Sequence, residues 1–181
     1  TIAPKVADFG NWKSLRGDVV RLDGKITVLG FSGTNLLANR GNLFNLNQKI
    51  YQRYHTFKDL QFVMLCPLGT EKDAQAVLDA LKAFTDVKQW NFVFATPEEI
   101  ANFYKQMQLK SQLDSNYGTS NVFIFDKERN LRGRKDKEEF KEGYNTFHPA
   151  ELSNEMLDDF KILLYEYKAA LKKNNNATKQ L

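Results

Sequence analysis

Few side chains in this sequence have types and positions suited to chemistry. Cys66 is the one cysteine among 181 residues, and His55 and His148 are the two histidines. One thiol rules out an internal disulfide, a Cys-rich zinc site and a dithiol redox couple within the chain. Two histidines put a multi-histidine metal centre out of reach. Cys66 closes the apolar run Leu60-Gln61-Phe62-Val63-Met64-Leu65, just before Pro67. It reads as a reactive thiol at a strand end or as a small apolar filler, the commoner fate of a free cysteine. No Lys, Arg or His adjoins it in sequence to lower its pKa. Met64 shares a strand face with Cys66 by alternation. With His148 added from a loop, the two sulfurs make a conceivable soft site for copper(I), although methionine on an apolar strand ordinarily serves packing. Thr34, Asn35 and Asn39 follow Gly33, where a helix is expected to begin. Such side chains cap backbone N–H groups or, behind a glycine, hold an anion or a carboxylate. His55 is expected at a helix C-terminus, a favourable place for its charge.

The elements that must position these residues are legible from periodicity. Val19 to Leu22 and Ile26 to Phe31 flank Asp23-Gly24, which predicts an N-terminal hairpin. The arm from Ile26 is nearly all apolar, as a strand covered on both faces requires. Leu43, Leu46, Ile50 and Tyr54 make one helical stripe. Strands are predicted at Leu60–Cys66, Trp90–Phe94 and Val122–Asp126, with a return strand over Leu131–Arg134. Thr70 and Thr96 look like N-caps, and Thr96-Pro97-Glu98-Glu99 carries a full capping box. Behind Thr70, Val77, Leu81 and Phe84 are expected to face inward; behind Thr96, the inner face is Ile100, Phe103, Tyr104 and Met107. A long helix is predicted from about Ser153, with Leu152, Met156, Phe160, Leu163, Leu164 and Tyr167 inward. The aromatic connection Phe140 to Pro149 is either a partner surface or a loop folded over helix ends. Strands alternating with helices, closed by a hairpin, specify one α/β domain over 1–181 with a mixed central sheet flanked by helices. Residues 1–10 and 173–181 are expected to be frayed ends.

Charge narrows the function classes. Lys and Arg number 26 against 22 acids, a formal net charge of +4. Along the chain the two signs interleave, as in Lys135-Asp136-Lys137-Glu138-Glu139, which predicts a solvated mixed surface and not a nucleic-acid stripe. No apolar run approaches the ~20 residues that span a bilayer. The chain opens at Thr1, so an upstream signal or membrane anchor is compatible with it.

The stretch Gly24 to Thr34 resembles the Sco/SenC family of copper chaperones, whose matching strand ends in Phe-Thr-x-Cys-Pro-x-x-x-Cys-Pro. Phe31-Ser32 takes the Phe-Thr place, so the two family cysteines fall on Thr34 and Ala38. Pro67 and Asp73 echo the family's Asp-Pro-x-x-Asp stretch, with Cys66 at the first Asp. Tyr117 to Asp126 is similar to the family's His-containing strand, with Gly118 at the copper-binding His and Thr119 beside it. The resemblance implies a thioredoxin-like fold and an extracytoplasmic, membrane-associated bacterial setting. It also implies a crevice formed by Thr34, Asn35, Ala38, Cys66, Gly118 and Thr119. With a hydroxyl, a methyl and a glycine at the ligand positions, no soft donor remains for copper and no thiol pair for exchange. The expectation is therefore a non-catalytic protein without cofactor, binding a protein or peptide partner. A one-cysteine thiol peroxidase or reductase using Cys66, and a copper carrier with a Met64/Cys66/His148 site, stand as alternatives.

Overall fold

The computed structural model describes residues 5–136 and 139–179. At its centre are two fully buried strands, β2 (Ile26–Ser32) and β3 (Leu60–Pro67), parallel to each other from Ile26↔Leu60 to Phe31↔Leu65. β4 (Trp90–Ala95) extends the parallel set beyond β3, and β1 (Lys13–Ser14) closes that edge antiparallel. On the other side β5 (Gly118–Phe125) runs antiparallel to β2. The short β6 (Leu131–Arg132) and β9 (Tyr144–Asn145) both pair with β5. The order β1-β4-β3-β2-β5-β6 is a mixed sheet. A separate ribbon of β7 (Arg134–Asp136) and β8 (Glu139–Lys141) lies off it.

Alternation along the buried strands feeds two cores. Val28, Phe62, Met64, Cys66, Phe92 and Ile124 point to one face, where they meet α1 (Arg40–Leu46), α3 (Glu71–Lys82) and α6 (Leu157–Lys179). Leu29, Phe31, Val63, Leu65, Val93 and Phe123 point to the other, under α4 (Pro97–Gln106) and the N-terminal segment. Each large side chain so buried contributes about 1.5–3 kcal/mol, which is why both faces must be covered.

Helix signals held where local chemistry sets them. Thr96 accepts from the Glu99 N–H and Glu99 from the Thr96 N–H, the predicted capping box. The α1 stripe continues through a π-helical stretch, Asn47–Tyr51, into α2 (Gln52–Tyr54), burying Leu43, Leu46 and Ile50. His55 caps that end, stacked on Tyr51 at 5.4 Å. The last helix begins earlier than expected, at α5 (Pro149–Glu151). It passes through a π-helical stretch, Leu152–Met156, into α6, with the predicted inward residues buried and Tyr167 packed at the edge.

Other expectations are corrected. No strand forms at Val19–Leu22, because both edges of β2 are taken by β3 and β5. The N-terminal turn closes instead between Lys13 and Val19, with Ser14 N–H bonded to Asp18. Thr34 begins no helix: residues 34–39 are successive turns, and α1 starts at Arg40. Thr70 precedes α3 but does not cap it, since its hydroxyl donates to the Pro67 carbonyl at 2.7 Å. Phe84 lies beyond the end of α3 and is 67% exposed. The expected fraying of 1–10 fails for Val6 and Phe9, both buried in the second core, while residues 1–4 lie outside the described residues. Of the other expected frayed end, residues 173–179 are helical, and residues 180 and 181 lie outside the described ones. Within Phe140 to Pro149, β9 pairs with β5 and Tyr144 is fully buried, while Phe147 stays 67% exposed.

Candidate functional site

A crevice of about 240 Å³ opens at the end of the sheet where β2 finishes. Its floor is Leu36, Leu43, Met64 and Val122, with Phe31 lining it from β2 while its ring packs in the other core; its walls carry Ser32, Asn39, Asn42, Thr119, Ser120 and Thr146, with Asp114 and Phe147 at the mouth. The crevice exists because β5 changes partners there. Gly30 pairs with Val122 but Phe31 with Thr119, so Ser120 and Asn121 bulge out of the β2–β5 ladder. Bulges re-aim side chains and open a sheet locally. The Ser120 carbonyl turns instead to the segment 131–148, an insert that carries β6 to β9, accepting from the Thr146 N–H at 2.9 Å and from the Thr146 hydroxyl. Asn45 then donates to the Thr146 carbonyl at 3.0 Å, tying the loop to α1.

Below the bulge the two backbones nearly touch. Gly33 has φ +66°, and a Cβ on it would sit 2.9 Å from the Asn116 carbonyl oxygen and 3.0 Å from Gly118. A Cβ on Gly118 would meet Gly33 at 3.1 Å in return. Both positions therefore need glycine for close approach. Asp114 fixes the neighbouring turn by accepting from the Asn116 and Gly118 N–H groups at 2.8 and 3.0 Å.

The residues singled out in the sequence are dispersed in the structure. Thr119 lines the crevice, as do Asn39 and Met64. Thr34, Asn35 and Ala38 are exposed on the preceding turns and do not line it, and Gly118 is buried behind it with no room for a side chain. Cys66 is 0% exposed and lies in the core with its Sγ 3.4 Å from the Met64 carbonyl. Burial pushes its thiol up to about 12, an effect that a hydrogen bond with Ser32 only partly offsets. At that value the reactive thiolate is scarce at neutral pH. His148 begins α5 with an exposed side chain and is absent from the lining. Ser120, Asn42, Asp114, Thr146 and Phe147 were not foreseen. The only signal for the last two was the aromatic composition of their loop.

The donor set does not fit copper. A copper(I) ion wants thiolate, thioether or imidazole ligands, and the Met64 thioether is the one such group in the lining. It is folded over Gly30, where a Cβ would lie 2.5 Å from its Sδ. Among the described residues no group of three or more His, Cys, Asp or Glu side chains is placed to hold a metal. The walls hold no Lys, Arg or His side chain either. What the arrangement offers is hydroxyl and amide groups around an apolar floor.

No family model and no curated protein matches the chain. Solved structures do. The thiol:disulfide interchange protein of Chlorobium tepidum shares 15% identity, covers 91% of this chain and 98% of its own, and superposes with a TM-score of 0.57. Copper-bound ScoI of Arabidopsis thaliana shares 14% identity over 89% and 99%, with a TM-score of 0.55. Yeast Sco1 shares 14% over 90% and 99%, with a TM-score of 0.54. At these identities the likeness is one of architecture, and it agrees with the strand order and the flanking helices described above. The chain has the thioredoxin-like fold, in the form shared by Sco proteins and thiol:disulfide interchange proteins.

Proposed function

We propose that this is a non-catalytic thioredoxin-fold protein that binds a peptide or protein partner in the crevice beside β2, as an accessory in the assembly of envelope components outside the bacterial cytoplasm. The observation that carries the reading is the separation of the one cysteine from the crevice. Cys66 is sealed in the core, while the cavity at the sheet end is lined by hydroxyls, amides and apolar side chains. Such a lining suits a partner's backbone amides and a small apolar side chain. Phe147, 67% exposed at the mouth, supplies an aromatic contact of the kind that anchors interfaces. The extracytoplasmic setting is supported by the folds it resembles, and among the described residues no helix is long and apolar enough to cross a membrane.

The test joins metal, thiol and partner. Copper(I) titrated against a chromophoric chelator is expected to leave the protein unloaded, and iodoacetamide at pH 8 is expected to leave Cys66 unmodified until denaturant is added. Thr119→Trp, which fills the crevice, is expected to abolish capture of the envelope partner that the unaltered protein retains. Submicromolar copper binding, or peroxide turnover lost in Cys66→Ser, would overturn the reading.

A further inference from the structure

Most charges on the last helix are sorted by flank. Four of its five acids, Glu151, Glu155, Asp159 and Glu166, lie toward the insert and are occupied there; the fifth, Asp158, is exposed one turn before Lys161. Lys141 pairs with Glu151 and Glu155, Arg134 with Asp159, and Arg132 with Glu166. Lys161, Lys168 and Lys172 recur at helical spacing on the opposite flank. That flank is turned toward α2: the Lys168 ammonium lies 5.9 Å from the Phe57 ring, and Tyr54 packs on Phe160 at 5.2 Å. From this side come three more cations, Lys49, Arg53 and Lys58, in a stretch, Asn47 to Lys58, that contains no acid. None of the six makes an ion pair among the described residues. Along the outer face of the same helix, Ile162 and Tyr165 are 57% and 74% exposed.

We propose that this cationic flank, with Tyr165 beside it, docks the protein peripherally on an anionic phospholipid surface. Charge complementarity names the occupant. Five of the six cations are lysines, which act as point charges on long stems and suit a plane of headgroups better than the fixed fork that carboxylate pairing uses. An exposed tyrosine and isoleucine next to lysines are what the boundary of headgroup and acyl chain accepts. Each lysine near an anionic membrane adds attraction that salt screens away. The surface is distinct from the crevice, so the inference stands or falls without the proposed function.

The experiment is co-sedimentation of the full chain with phosphatidylcholine vesicles containing phosphatidylglycerol, against phosphatidylcholine alone. Binding is expected only to the anionic vesicles at low salt, and is expected to disappear at about 0.5 M NaCl. Lys161→Glu with Lys168→Glu is expected to weaken binding at least about tenfold. The pair Lys82→Glu with Lys105→Glu has the same net charge on other helices and is expected to weaken it far less. In Tyr165→Trp the new indole is expected to shift its emission to the blue on vesicle addition. Equal loss in the two charge-reversed pairs, binding that ignores lipid charge, or tighter binding to an oligonucleotide or an acidic peptide than to the vesicles would overturn the proposal. Circular dichroism of each variant separates lost docking from lost folding.

Discussion

The crevice beside β2 and the polar seam between α6 and the insert differ in how their polar groups are used. In the seam the charged groups are paired with one another. Asp159 accepts from Arg134 at 3.0 and 3.1 Å and from the Tyr144 hydroxyl at 2.5 Å, and Lys141 is held between Glu151 and Glu155. Burial and the Asp159 carboxylate together push the Tyr144 phenol far above its ordinary value. In the crevice the side chains of Asn39 and Asn42 have no hydrogen-bond partner among the described residues, and Phe147 projects into solvent. The difference has a mechanical meaning. The seam fixes the insert loop on the sheet, and the loop carries Thr146 and Phe147 to the crevice wall. One region is committed to holding, and the other is left open to bind.

The largest test removes the keystone of the seam. Asp159→Ala leaves the buried Tyr144 hydroxyl without its acceptor and Arg134 without its carboxylate, and is expected to cost about 3 kcal/mol in urea unfolding. Arg134 is partly exposed and finds water, so most of that loss belongs to Tyr144. A loss below about 1 kcal/mol would mean that the seam is decorative. Next in size is Gly33→Ala, which forces a side chain into φ +66° and toward the Asn116 carbonyl. It is expected to cost about 2 kcal/mol, with the crevice signals perturbed in amide spectra.

A smaller effect separates a third set of polar contacts, around Asp59, from the crevice. The Tyr167 hydroxyl holds the Asp59 carboxyl below its usual range, against the cost of burial and with help from Lys127. Because the folded pKa is the lower one, the stabilisation is complete above the unfolded value near 4 and is lost as pH falls through the folded value. Tyr167→Phe is therefore expected to flatten the acid limb of a stability profile and to leave stability little more pH-dependent above about pH 5 than before. Smallest of all, Asn39→Ala and Asn42→Ala are each expected to change stability by less than about 0.5 kcal/mol while weakening partner capture. A larger destabilisation would place these amides in the scaffold and erase the contrast.

Much of the scaffold was legible because it rests on short-range rules. The capping box at Thr96, the stripe Leu43-Leu46-Ile50 and the buried runs at β2 and β3 each express a local preference that the tertiary structure also needs. Legibility failed where two segments compete for one edge or one space. Val19 to Leu22 has strand character, but β2 had no free edge to offer it. Thr70 has the type of an N-cap, but the Pro67 carbonyl took its hydroxyl. The crevice was only partly legible for the same reason. Thr119 and Met64 stood out by type, whereas Thr146 and Phe147 reach the site from a distant part of the chain by way of β9.

By itself the sequence determined which chemistry is closed to this protein: one thiol, two imidazoles and no paired cysteines leave no dithiol couple and no multi-histidine centre. It also determined the alternation of strands and helices, because periodicity is a local property of the chain. Only the tertiary structure decided that Cys66 is sealed while Met64, two residues before it, reaches the crevice floor. Only the tertiary structure, likewise, set Glu151, Glu155, Asp159 and Glu166 against Lys141, Arg134 and Arg132. Burial and charge pairing are properties of packed surfaces, and a surface is assembled from residues that the chain keeps far apart.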